Sequence, residues 1–111
     1  MRKIERQMIQ AVNTPGQDLT TANTKVRWSD DQAFVEVLLH NNLIASINWT
    51  TNTMAVSDAG WQTTTTKSRL NALLGDLANG SRIYAKSFVW HLATESETVE
   101  MDRSQSYAVS L

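Results

Sequence analysis

Apolar residues along this chain change their spacing three times, and each change marks an element. Ile4, Met8, Ala11 and Val12 recur at helical intervals while Arg2, Lys3 and Arg6 lie off that stripe, so residues 2–12 are expected to form a first helix. Thr14-Pro15-Gly16 ends it, because proline disfavours helix in the residue before it and glycine supplies a turn. Residues 16–23 are polar and turn-rich and read as a loop. Alternation then takes over. Thr24, Val26 and Trp28 share one face of a strand with Lys25 and Arg27 on the other; Ala33–Leu39 is β-rich and apolar on both faces apart from Glu36. Leu43, Ala45, Ile47 and Trp49 alternate again, and Met54-Ala55-Val56 is a short fourth strand. The turns between them are Ser29–Gln32, His40-Asn41-Asn42, whose residue types tolerate left-handed backbone, and Thr50–Thr53.

Helical spacing returns at Leu70, Leu73, Leu74 and Leu77, a single apolar stripe closed by Asn79-Gly80. Gly75 inside it costs about 1 kcal/mol relative to alanine, which suggests close packing on a sheet. Ile83–Leu92 reads as one long strand, with Tyr84, Lys86, Phe88, Trp90 and Leu92 opposing Ile83, Ala85, Ser87, Val89 and His91. Val99-Glu100-Met101 and Tyr107-Ala108-Val109 are weaker, so residues 94–111 form either a mobile tail or a pair of edge strands. Turns this closely spaced require hairpins, since parallel pairing needs crossovers of about a dozen residues. The expected fold is α+β: an antiparallel β-meander of four or more strands with two helices packed on one face, in the order α-β-β-β-β-α-β, as a single domain over residues 1–111.

Composition narrows the function classes. The chain has 111 residues, is 41% hydrophobic and contains no cysteine, so disulfides, thiolate metal sites and cysteine nucleophiles are excluded. No apolar run approaches the ~20 residues of a membrane span, and no apolar segment follows the basic start Met1-Arg2-Lys3 to make a secretion signal. The net charge of −1 argues against a generic nucleic-acid binder, but the charge is segregated. Arg2, Lys3 and Arg6 against Glu5 leave +2 over residues 1–10. Lys67, Arg69, Arg82 and Lys86 against Asp76 leave +3 over residues 67–86. From Ser87 onward Glu95, Glu97, Glu100 and Asp102 against Arg103 leave −3.

The threonine run before the second helix carries the strongest chemical suggestion. A helix N-terminus is partly positive and ordinarily attracts acidic residues, yet Lys67 and Arg69 stand there. Thr65 and Thr66 hydroxyls with Lys67 and Arg69 would suit a phosphate, assisted by Arg2, Lys3 and Arg6, while Trp61 could stack a base. The plainer alternative is that the threonines only cap the helix and end the preceding element. Glycine spacing for a P-loop is absent. Trp28, Trp49 and Trp90 fall at alternating apolar positions and read as core. His40 sits in a turn and reads as solvated; His91 reads as a half-buried strand residue, and neither has carboxylates at metal-ligand spacing. A Ser–His–Asp grouping drawn from His91 and Asp58 has nothing to specify it, so no catalytic residue, metal or cofactor is expected. The order of elements is similar to that of double-stranded-RNA-binding domains, with an extra strand and without a second lysine beside Lys67. That likeness is one of layout, and layout does not imply function.

The segment Gly60-Trp61-Gln62-Thr63-Thr64-Thr65-Thr66-Lys67-Ser68-Arg69-Leu70-Asn71-Ala72-Leu73-Leu74 resembles a small family of proteins encoded by tailed phages, especially those of aquatic bacteria. Arg2-Lys3-Ile4-Glu5-Arg6-Gln7-Met8 and Leu39-His40-Asn41-Asn42-Leu43-Ile44-Ala45 fit the same family. The resemblance implies an infected bacterial cytoplasm or a virion as the place of action, and brings no functional residues with it. Two functions are therefore expected of a non-enzymatic module. One is binding of nucleic-acid phosphates at the second helix. The other is protein–protein interaction with a host or phage protein, or self-assembly into a homo-oligomer, through an exposed apolar patch or an unpaired strand edge beside Ile83–Leu92. No membrane partner is expected.

Overall fold

The alternation between residues 24 and 56 folds as an antiparallel meander. The computed structural model describes all 111 residues and orders them as α1 (Lys3–Val12), β1 (Leu19–Thr21), β2 (Thr24–Trp28), β3 (Phe34–Leu39), β4 (Asn42–Asn48), β5 (Thr53–Val56), α2 (Thr64–Leu77), β6 (Arg82–Lys86), β7 (Val89–Ala93), β8 (Thr98–Glu100) and β9 (Tyr107–Ser110). One sheet has the order β1-β2-β3-β4-β5-β9 and a second the order β6-β7-β8, all pairs antiparallel. With two helices against these sheets the fold is α+β.

Four features depart from the expected order. Leu19–Thr21, expected as loop, pairs with β2 through a two-residue turn in which Ala22 takes φ +48°. The long strand Ile83–Leu92 is instead two strands, because Ser87 (φ +53°) and Phe88 (φ +66°) reverse the chain between Lys86 and Val89. The two tail strands exist but do not pair with each other: β8 joins β7 and β9 joins β5. Met101 and Val109 are buried in the core, which ties the tail down. Gly75 packs against nothing, since a Cβ built there would meet no atom within 4 Å, so its expected close approach to a sheet does not occur.

The core is formed by the α1 and α2 stripes set on the inward positions of the strands. Met8 and Val12 meet Leu70, Leu73 and Leu74 over Val26, Val35, Val37, Ile47, Met54 and Val56, all fully buried or nearly so. Trp28 and Trp90 join them as expected, with the Trp28 indole donating to the Ala11 carbonyl at 3.0 Å; Trp49 packs against the cluster while half-buried.

The helices run parallel. Glu5 meets Ser68 and Asn13 meets Asp76, each pair 63 positions apart, so the two N-termini lie level at one end of the molecule. Parallel helices place like dipole ends together, which is unfavourable without a negative charge between them. Glu5, in the first turn of α1, supplies it.

Candidate functional site

The entrance of α2 is capped from within the threonine run. Thr63 precedes the helix in extended conformation, and its hydroxyl accepts from the Thr66 N–H at 3.1 Å while lying 2.9 Å from the Thr66 hydroxyl. Thr66 is itself buried, so its hydroxyl belongs to the cap and not to a surface. The N–H groups of Thr64 and Thr65 are the donors left without an acceptor in the chain.

Arg69 is the main correction to the expected anion site. Its guanidinium is buried, with Nη1 donating to Glu5 Oε2 at 2.9 Å, Nε to Thr24 Oγ1 at 3.1 Å and Nη2 to Asn23 Oδ1 at 3.4 Å. The same Glu5 oxygen accepts from the Ser68 hydroxyl at 2.5 Å. Burial pushes the Glu5 carboxyl upward, but hydrogen bonds from Ser68 and Arg69 and the charges of Arg69 and Arg2 hold it below its ordinary value. The arginine that looked uncompensated is thus neutralised by a carboxylate 64 positions away and joins the two helices. Lys67 does not share its direction: two residues of helix separate them by roughly 200°. It lies on the side of Asn71, whose amide brackets the backbone of Ile83 with bonds of 2.9 and 2.7 Å.

The remaining basic residues are exposed. Arg2, Lys3 and Arg6 project from the start of α1, with Arg6 bonded only to the Met1 carbonyl. The ion pairs of the chain are Arg27–Glu36 and Glu5–Arg69, so these three and Lys67 form none, although the Arg2 charge still acts on Glu5. Parallel packing brings the start of α1, with Arg2, Lys3 and Arg6, to the same end of the molecule as Lys67 in the first turn of α2.

A cleft of about 410 Å³ opens at that end, between the β3–β4 turn and the first turn of α2. Leu39, Ile44 and Ala59 make it apolar, His40, Asn42 and Thr65 line its polar side, and Trp61, 63% exposed, stands at it. Below it lies Asp58, wholly buried. Its Oδ1 accepts from the N–H groups of Gly60 at 2.7 Å and Ser104 at 2.8 Å, and its Oδ2 from the Gln62 amide at 3.0 Å. Asp58 therefore holds the Trp61 loop and the returning tail in place. Sequence reasoning missed His40, Asn42 and Asp58 as neighbours of this site. Ser57-Asp58-Ala59-Gly60 does carry the mark of a side-chain-bonded turn, but nothing local indicates that Ser104 closes it.

A second surface lies at the tip of the β6–β7 hairpin. Phe88 is fully exposed (102%) and Val89 beside it is 38% exposed. On the outward face of this sheet Tyr84 and His91 stack at 5.1 Å between centroids, with the Arg82 guanidinium 4.9 Å over the Tyr84 ring. His91, half-buried, is thus occupied by an aromatic partner and a 3.0 Å contact with the Val89 carbonyl. No group of three or more histidine and carboxylate side chains converges to hold a metal ion. No helix is long and apolar enough to cross a membrane.

The chain belongs to the Kyanoviridae Gp96 family: the family profile described as "Kyanoviridae Gp96 protein" matches residues 1–109. It is therefore a phage-encoded protein, in agreement with the resemblance read from the Gly60–Leu74 segment. No curated protein and no solved structure matches it.

Proposed function

We propose that this member of the Kyanoviridae Gp96 family is a non-enzymatic binding module that grips a protein partner with the tip of its β6–β7 hairpin, in the cytoplasm of the infected host or in the virion. One observation carries the reading: Phe88 is fully exposed while both turn residues occupy the left-handed region. A two-residue turn of that kind favours Asn-Gly, because residues with a Cβ are strained at positive φ by about 1 kcal/mol or more each. An exposed phenylalanine also forgoes about 1.5–3 kcal/mol available from burial. The burial energy is recovered when a partner covers the ring, and the strained backbone, kept in both states, pre-sets the direction in which it points.

The test separates stability from binding. Replacing the turn by Ser87→Asn and Phe88→Gly is expected to raise the free energy of unfolding by about 1 kcal/mol in urea titrations. A photo-reactive phenylalanine analogue at position 88 should crosslink one discrete protein in infected cells, and the same analogue at the exposed Thr20 should not. Absence of any adduct at 88, or the same adducts from both positions, removes the proposal.

A second reading has its own observation, the exposed Trp61 at the cleft, with four basic residues that form no ion pair toward the same end of the molecule. On this reading the cleft takes a nucleic-acid strand, with a base on Trp61 at about 1–3 kcal/mol and phosphates at Lys67, Arg2, Lys3 and Arg6. Arg69 takes no part. Quenching of tryptophan fluorescence by a thymidine oligonucleotide or a short RNA duplex should then weaken steeply with salt and vanish on Trp61→Ala. Quenching that is absent for both, or insensitive to salt, eliminates this reading.

A further inference from the structure

At the opposite end of α2 from the Trp61 cleft, β9 closes the six-stranded sheet and pairs only with β5. The phase of its hydrogen bonds follows from two contacts. Leu111 N–H donates to the Asn52 carbonyl at 2.9 Å, which makes residues 111, 109 and 107 the ones bonded to β5. Ser57 N–H donates to Ile44 on the other side of β5, and requires the same alternation. The N–H and C=O groups of Ala108 and Ser110 therefore point away from the sheet, with no strand beyond them. Sheet edges are ordinarily guarded by lysine, proline or a bulge. The edge presented by Tyr107-Ala108-Val109-Ser110 has none of these.

This edge does not face open solvent. It borders a groove of about 570 Å³, with Leu77, Ala78 and Val109 along it and Glu95 and Glu97 from the β7–β8 turn beside them. Glu95 lies against Gly80, where an added Cβ would approach its Oε1 to 3.3 Å, so the carboxylate is seated beside the groove. Neither glutamate has a lysine or arginine within ion-pair distance. The groove combines unmet main-chain donors and acceptors, a mixed polar and apolar lining and two unpaired negative charges.

We infer that the β9 edge receives an extended segment of a partner protein bearing lysine or arginine, which adds to the sheet as a seventh strand. Ala108 and Ser110 offer four main-chain hydrogen bonds to it, a guest side chain meets the half-buried Leu77, and a basic guest side chain meets Glu95 or Glu97. The inference rests on the reading of the chain as a partner-binding module but uses a surface remote from Phe88, so either can fail without the other.

The probe is a nine-residue fluorescent peptide of alternating valine and lysine, compared with its valine–glutamate counterpart and with a lysine version N-methylated at alternate residues. Anisotropy should show binding of the first peptide alone. The Ala108 and Ser110 amides should become protected from hydrogen exchange when it binds. Reversal of both acids, Glu95→Lys with Glu97→Lys, should weaken binding at least tenfold, while the Ser87→Asn/Phe88→Gly protein should bind unchanged. Because the N-methylated peptide removes guest hydrogen bonds without touching the protein, its result does not depend on any variant folding. Binding of the glutamate or N-methylated peptide within threefold of the parent overturns the inference, as does binding without protection at Ala108 and Ser110, or no binding at all.

Discussion

Glu5→Ala is expected to lower the free energy of unfolding by about 3–5 kcal/mol, because it strands the Arg69 guanidinium in the interior without its carboxylate. The side chains of the pair are 5% and 4% exposed, so water offers little substitute. The loss also removes the negative charge between two parallel helix N-termini and leaves the Ser68 hydroxyl without its acceptor. Equilibrium urea unfolding at neutral pH gives the number directly. Replacing both partners, Glu5→Gln with Arg69→Met, should be less harmful than Glu5→Ala alone, since no buried charge then remains unpaired. A cost below about 1 kcal/mol for Glu5→Ala contradicts the buried-pair account.

The same pair sets an acid limit. The Glu5 carboxyl is held below its ordinary value of 4.5 in the native protein. A carboxyl depressed on folding contributes stability that is fully present above its unfolded value and is lost as pH falls through its folded value. Stability should therefore decline as pH drops below about 4.5, and Glu5→Gln, weaker at neutral pH, should show a shallower decline over the same range. Parallel acid slopes for the two proteins would show that other carboxylates govern acid unfolding.

Much of this architecture is readable from local pattern. The α2 stripe at Leu70, Leu73, Leu74 and Leu77, the alternation of Thr24, Val26 and Trp28, and the left-handed-tolerant His40-Asn41 turn each specify their element within a few residues. The failures have one cause, tertiary context overriding local preference. Ser87-Phe88 has none of the glycine or asparagine that announces a two-residue turn, so alternation runs straight through it. The tail strands are too short to choose partners, and Met101 and Val109 decide their sheets by burial in the common core.

The candidate site was legible only in part, for the same reason. Charge at the α2 entrance is visible in sequence, and so is the lack of an acid within that turn. What cannot be seen is that α1 packs parallel and delivers Glu5 to Arg69, converting an apparent ligand-binding arginine into a link between helices. A charge without a sequence neighbour of opposite sign is weak evidence for a ligand until the packing of every adjoining element is known. Lys67, Lys3 and Arg6 survive that test because none of them forms an ion pair, and Arg2 survives it in part, since its charge acts on Glu5 without pairing with it. Trp61 survives it because its loop is held outward from below.

That support makes Asp58 the second position of large effect. Asp58→Ala is expected to destabilise the protein by about 2–4 kcal/mol, since it orphans the backbone donors of Gly60 and Ser104 and leaves the Gln62 amide only its 3.4 Å bond to the Met101 carbonyl. Asp58→Asn should cost less, because one side-chain oxygen still accepts, although its amide now faces the amide donor of Gln62. The damage should be spatially graded. Hydrogen exchange is expected to quicken first around residues 58–62 and 101–106, the two segments the carboxylate joins, while β2, β3 and β4 stay protected. Trp61 should respond with them, so its fluorescence and its accessibility to a neutral quencher should change in Asp58→Ala well below the unfolding midpoint. A stable variant with an unaltered Trp61 signal would mean that the loop is ordered by its own turn and that the tail crosses it without holding it.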